Sequence, residues 1–585
     1  SKWWTSNAMM DLKYSELLSK NKDLEREDTE VSYKVLLLSN MIVHQGKEII
    51  EYSLRIKNIN ASIELGDYDN ILQETKKQRK VDATIIFWEL ANLVNGLHFK
   101  IDLLNDKEIE EIEHRAKAEI NLALLNLKDC PLVVFNKFSS FLVSSLCISE
   151  DNLSKLAIRL NEYLDSLDQN NLKLVNLDNV VRHIGFDRSY DLRYFYSSES
   201  LYTIDFFKSY AQYIKPIFIS ANGKSKKVLI FDCDNTLWKG ILGEDGINNI
   251  EMSSDTKNGK IFQEIQSIAQ HLSKRGVIIG LCSKNNFDDV EEVLVSHKDM
   301  ILKDSFISIK KINWIDKVSN LDQISKELNI GLDSFVFVDD SPFETNLVKK
   351  LLPDVTVLEV PKKLHNYPTM LRNNLGLFYN LSQTSEDFKK VKMYKQQNKR
   401  ESKKLEFHSL DEYLISLELK IIIHENDDLL IPRMAQMTQK VNQFNLTTKR
   451  YTEREIEKMV NSSEVLVLSF TVDDKYGSNG VVGLCIINLN NKSSAYIDSF
   501  LMSCRVIGRN IEYVIMDRIA KELKKIGIKT LTSQFSETLK NSQVSNFFDL
   551  CNFDLVNQKE ACKDYVLLMS NYVPSKIDYI EVKKL

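Results

Sequence analysis

The chain has 585 residues, 77 basic and 82 acidic, giving a net charge of −5. That length exceeds what one hydrophobic core holds, so three or four domains are expected, and the lack of a basic excess argues against a nucleic-acid binder. No apolar run approaches the roughly 20 residues needed to span a bilayer, no signal peptide is visible, and the 8 cysteines form no C-x-x-C pair, which fits a reducing, cytoplasmic setting.

Ser1 to Ala8 reads as an expression-tag remnant and is set aside. Residues 9–223 alternate apolar runs with helix-period stretches. Lys34–Leu38, Ala83–Trp88 and Leu132–Phe135 are rich in branched and aromatic residues, which predicts strands of a parallel α/β layer. Ser39 follows the first run, where SGNH-type hydrolases keep a nucleophile, and His183 is the nearby histidine with suggestive context. The segment has no G-D-S motif and no D-x-x-H pair. It is therefore expected to be a degenerate SGNH-like or flavodoxin-like domain without catalysis of its own.

Residues 224–375 repeat the alternation more clearly. Val228–Phe231, Val277–Cys282 and Phe335–Val338 are nearly continuous apolar runs, as expected of strands buried on both faces. Val228–Gly246 reads VLIFDCDNTLWKGILGEDG, so Asp232 and Asp234 stand two residues apart at the tip of a strand. Open α/β sheets put their sites at that edge. One carboxylate, Asp232, can attack phosphorus; the other, Asp234, can handle the leaving-group proton. Two anions facing a phosphate need an opposing charge, which Mg²⁺ and a cationic side chain would supply. Candidates follow in order: Ser283 after the second run, Lys317 in NWIDK, and Asp339 and Asp340 after the third. Thr236, Ser283, Lys284 and Asn285 are the candidate phosphate contacts, and Asp232, Asp234, Asp339 and Asp340 the candidate metal ligands.

This ordered set resembles the haloacid-dehalogenase (HAD) superfamily. Forty-eight residues separate Asp234 from Ser283 and thirty-three separate Ser283 from Lys317, too few for a full cap domain, so an open site is expected. DNTLWKGILGEDG, WIDK, SFVFVDDSPFE and LPDV are similar to the FkbH-like group of subfamily IIIC. The resemblance extends to Gln436–Thr452 and Asp498–Glu512. Ser341, Thr345 and Lys440–Val441 depart from its pattern. It implies transfer of a glyceryl group from 1,3-bisphosphoglycerate to an acyl carrier protein, with loss of phosphate. Such a transfer would use a thiol. Cys233 is the candidate by position, although strand alternation points it away from Asp232; Cys282 reads more readily as core. A plain phosphohydrolase acting on a sugar or metabolite phosphate in polysaccharide or secondary metabolism, and a non-enzymatic carrier-protein-binding assembly factor, are the other readings.

Residues 376–407 form a linker. Glu386–Lys404 carries seven lysines and Arg400, a solvated amphipathic helix by default and otherwise a face for an acidic carrier protein. Residues 408–585 mix strands (Val465–Phe470, Val481–Ile487) with a helix around Asn510–Ile526. Arg505 and Gly508 form an R-x-x-G turn opening that helix, and a helix N-terminus suits a pyrophosphate. Cys504 sits at the same turn and reads as a packed thiol. The segment resembles a GNAT-type acyltransferase fold. The expected architecture is thus α/β and multi-domain: a capless HAD Rossmann-like domain between an N-terminal SGNH-like or flavodoxin-like α/β domain and a C-terminal GNAT-like α+β domain.

Overall fold

A computed structural model describes residues 8–27, 32–141, 151–381, 393, 394, 396, 410–489, 492–503, 506–538, 540–559 and 561–584. The expectations for Cys504, Arg505 and most of Glu386–Lys404 lie outside these residues. Two compact units emerge: the first runs to Asn222 and takes in Tyr451–Glu455, and the second comprises Gly223–Arg450 and Ile456–Leu585. No helix among the described residues is long and apolar enough to cross a membrane.

The first unit holds a parallel sheet of β1 (Tyr33–Ser39), β2 (Ala61–Leu65), β3 (Ala83–Phe87), β4 (Val133–Lys137) and β5 (Leu172–Asn176) in the order β2-β1-β3-β4-β5. That order is the flavodoxin-like one. Every residue of β3 is buried, as its unbroken apolar run predicts. Ser39 is not poised for attack: its hydroxyl accepts the Met41 amide at 3.0 Å. His183 is exposed on the helix Leu177–Ile184, and no hydrogen bond joins the two among the described residues.

The second unit contains two sheets. The first is parallel: β6 (Val228–Phe231), β7 (Ile278–Ser283), β8 (Ile307–Ile312), β9 (Phe335–Asp339) and β10 (Thr356–Glu359), in the order β10-β9-β6-β7-β8. The chain winds from β6 outward through β7 and β8, then returns to the other side of β6 with β9. A crevice forms at such a reversal, outside the carboxyl ends of the strands. Every residue of β6, β7 and β9 is buried. Between Asp234 and the helix Lys257–Lys274 the chain adds only the short helix Leu242–Asp245 and a bridge of Lys239 to Glu251. Between β7 and Lys317 it adds the helix Phe287–Ser296 and β8. Neither insert is a cap, as the spacing predicts.

The last sheet is α+β in character. It joins β11 (Lys420–Glu425), β12 (Phe444–Asn445), β13 (Val465–Asp474), β14 (Gly477–Asn488), β15 (Ser494–Met502), β16 (Thr530–Ser536), β17 (Asp554–Lys559), β18 (Cys562–Leu568) and β19 (Glu581–Lys584). Its pairings are antiparallel except β15 with β16 and β11 with β19. The helix Ile511–Lys525 packs its buried face into the apolar core of this sheet. The two sheets of this unit are tied by Lys227, whose ammonium donates to the Lys440 carbonyl at 2.9 Å, and by an ion pair of Lys540 with Asp333.

Candidate active site

The site grows out of the end of β6. Asp232 leaves the strand with its amide donating to the Val338 carbonyl at 2.9 Å, and the chain then turns sharply: Thr236 and Leu237 both donate to the Cys233 carbonyl. Asn235 adopts a left-handed conformation with φ 52°, which asparagine tolerates better than most residues. Its side-chain oxygen accepts the Gly240 amide at 3.2 Å and the Lys239 ammonium at 2.9 Å, closing the loop. Gln266, wholly buried, donates to the Leu237 carbonyl at 2.7 Å and accepts from Ile301 at 2.8 Å. Tyr367 donates its hydroxyl to the Thr236 carbonyl at 3.0 Å. The carboxylates are thus held by a braced turn.

Lys317 is the central cation. Its ammonium lies 3.0 Å from Oδ1 of Asp232 and 2.5 Å from Oδ2 of Asp339, with 5% of its side chain exposed. It opens the helix Lys317–Leu328, capped by Asp316. Burial alone would lower its pKa, but Asp232 and Asp339 override that and raise it, so the amine stays charged. Asp232, Asp339 and Asp340 each offer an oxygen, and these oxygens lie within 4.8 Å of one another. Burial and then Asp232 push Asp339 up to about 7 and Asp340 up to about 6. One ammonium therefore leaves acid in surplus, and a set of hard oxygen donors fits Mg²⁺.

Asp234 is outside that oxygen cluster, contrary to the expectation that its side chain joins the metal ligands. Trp238 Nε1 and the Leu242 amide donate to its Oδ1, each at 3.0 Å, and Asn285 Nδ2 donates to its Oδ2 at 2.9 Å. Burial outweighs these three donors, and its pKa is raised. A carboxyl that is oriented and inclined to hold a proton suits an acid/base role.

The phosphate contacts divide. Ser283 ends β7 and is buried. Lys284 is engaged by Glu344 at 2.7 Å, and Asn285 by Asp234, so both brace the site as it stands. Thr236 is fully buried, and its hydroxyl has no hydrogen-bond partner among the described residues. Cys233 corrects an expectation: it is 0% exposed, and burial, then Asp232 and Asp234, push its thiol well above the ordinary range. That disfavours the thiolate form that an acyl acceptor needs. Cys282 is likewise buried, with its thiol raised by burial. The sequence reading missed Trp238, Asn235, Gln266, Tyr367 and Glu344, whose roles depend on hydrogen bonds across the fold. Only Trp238 and Asn235 carried a signal, as neighbours of the acidic pair.

In the last domain Gly508 sits in an exposed turn with φ 80°, and an added Cβ there would meet nothing within 4 Å. Its conformation, not crowding, calls for glycine. Arg509 pairs with Asp474 at 3.2 Å, and Glu512 lies buried in the first turn of the helix Ile511–Lys525, raised by burial to about 6.

No family model matches the chain, and no curated protein matches it. Among solved structures, it is similar to the N-terminal part of the protein BF1531 from Bacteroides fragilis, which contains a phosphatase domain and is complexed with Mg. The identity is 26% and the TM-score 0.56, over 63% of this chain and 100% of that one. The match supports a phosphatase-domain type of fold for the part of the chain that it covers. Slighter likenesses are to the ribosomal-protein-S18-alanine N-acetyltransferase from Escherichia coli (11% identity, 27% of this chain and 97% of that chain, TM-score 0.21) and to spermidine N-acetyltransferase SpeG from Vibrio cholerae (12%, 26% and 96%, 0.21).

Proposed function

We propose that the chain is a Mg²⁺-dependent phosphohydrolase of the HAD type, with Asp232 as nucleophile. The observation that carries this is the buried contact of Lys317 with Asp232 and Asp339, beside Asp340. Asp232 attacks phosphorus, the bond from phosphorus to the leaving oxygen breaks, and Asp234 gives that oxygen its proton. Water then attacks the aspartyl-phosphate, with Asp234 taking its proton, and phosphate leaves. Lys317 holds Asp232 in place and offsets charge on the phosphoryl oxygens. A Mg²⁺ ion on Asp232, Asp339 and Asp340 would neutralise further charge there. The match to a Mg-complexed phosphatase domain supports this reading. The test is phosphate release from a panel of phosphate monoesters with Mg²⁺: Asp232→Asn should abolish it, and hydrolysis that survives would exclude Asp232 as nucleophile.

The finer reading, suggested by the sequence resemblance, is glyceryl transfer from 1,3-bisphosphoglycerate to an acyl carrier protein. The open site and the α+β domain in the same compact unit are compatible with a carried substrate. The raised thiol of Cys233 disfavours it as the accepting group. Mass spectrometry of a carrier protein after incubation decides it: a glyceryl adduct supports transfer, and phosphate release without an adduct leaves the phosphohydrolase.

A further inference from the structure

We infer that the mouth of the phosphoryl site binds an apolar leaving group, so that the preferred substrates are phosphate monoesters of extended alkyl or acyl chains. The inference rests on the phosphohydrolase reading above. Large apolar side chains stand exposed on every loop that carries a site residue. They are Ile241 (40%), Phe287 (46%), Trp314 (75%), Ile315 (47%) and Phe343 (70%).

Each is anchored next to the chemistry. Ile241 precedes Leu242, whose amide bonds Asp234. Phe287 comes two residues after Asn285, which bonds the same carboxylate. Trp314 and Ile315 follow Asn313, whose amide donates to the Ser283 carbonyl at 3.1 Å, and precede Lys317 by three and two residues. Phe343 precedes Glu344, which pairs with Lys284. Four loops at the carboxyl edge of one sheet therefore each carry an exposed apolar residue close in sequence to a site residue, and the Phe287 ring also lies 5.8 Å from the Lys310 ammonium.

Single exposed apolar residues are ordinary. The distribution here is not scattered. Among the described residues of 224–375, only Val295 and Leu351 are exposed large apolar side chains away from this edge, and the exposed aromatics Phe287, Trp314 and Phe343 are all on it. The phosphoryl group itself is met by buried polar residues below. What passes between the loops is the group attached to phosphorus, and aromatic side chains recognise apolar area rather than hydroxyls or charge. Such a rim is poorly matched to a small polyanion such as bisphosphoglycerate alone, which separates this inference from the glyceryl reading.

Alkylphosphonates test it without turnover, because their carbon–phosphorus bond is not hydrolysed. The full-length protein with Mg²⁺ is titrated calorimetrically with methyl-, butyl- and hexylphosphonate. The expected Kd falls along the series by about fourfold per methylene for the first few carbons. Trp314→Ala and Phe343→Ala should each weaken hexylphosphonate at least fivefold, and the control Leu351→Ala should not. Equal affinity for methyl- and hexylphosphonate, or a Trp314→Ala variant that binds hexylphosphonate as the unchanged chain does, overturns the inference. Failure to bind methylphosphonate or orthophosphate at all would instead overturn the phosphoryl site beneath it.

Discussion

The side-chain amide of Asn285 donates to Oδ2 of Asp234 at 2.9 Å, joining the loop that leaves β7 to the loop that leaves β6. Without it Asp234 would keep donors only on its other oxygen, from Trp238 and Leu242. Asn285→Ala should lower kcat by roughly 10- to 100-fold, the scale on which small misplacements of a reacting group act. KM should move much less. Steady-state kinetics on a phosphate monoester check the split: a KM effect with unchanged kcat would make Asn285 a substrate contact instead.

Asp340 completes the oxygen set of Asp232 and Asp339. Chelation should remove activity, and added Mg²⁺ should restore it. Asp340→Asn should raise the Mg²⁺ concentration for half-maximal activity about 10-fold or more. A variant with the Mg²⁺ dependence of the unchanged chain would place the ion elsewhere.

How much of this was legible in the sequence follows burial. The runs of β6, β7 and β9 are apolar throughout, and their ends and the acids beyond them could be read directly. β8 (ISIKKI) and β2 (ASIEL) carry charges among their apolar residues, and that dilutes the pattern that marks a strand. The acids and Lys317 were found because their chemistry sits at strand tips. Lys284 and Asn285 were read as phosphate contacts, whereas the fold pairs them with Glu344 and Asp234 through tertiary contacts that no spacing encodes. Strand alternation did favour a Cys233 that points away from Asp232.

Gly280 sits in the middle of β7, against its neighbours. A Cβ there would lie 2.5 Å from Ile230 Cδ1, 2.8 Å from Ile309 Cγ2 and 3.2 Å from the Ile309 carbonyl oxygen. Gly280→Ala should cost about 1–3 kcal/mol as an overpacked core position, read as a lower urea midpoint. An unchanged midpoint would mean that the sheet opens to admit a methyl group.

Lys215 is buried in the helix Ile204–Ala221. Burial, then the nearby Lys57, pulls its pKa down to about 8. The folded state thus holds this proton less tightly than the unfolded chain. The penalty is full below about pH 8 and fades as pH rises toward the unfolded value of about 10.4. Lys215→Met should therefore stabilise the protein near neutrality by about 1–3 kcal/mol. Its advantage should shrink between pH 8 and 10. Denaturant titrations at pH 7 and pH 10 check it: an advantage equal at both would point to packing rather than charge.

Asp232 and Asp339 are more than a hundred residues apart in sequence, yet they meet because β9 pairs beside β6. The ion site therefore does not exist in the unfolded chain. Binding of the ion and completion of the sheet are one equilibrium, and an ion at 100 times its Kd shifts it by about 2.7 kcal/mol toward the folded state. Scarcity of the ion would then lower the amount of intact protein that survives proteolysis, as well as the turnover of each molecule.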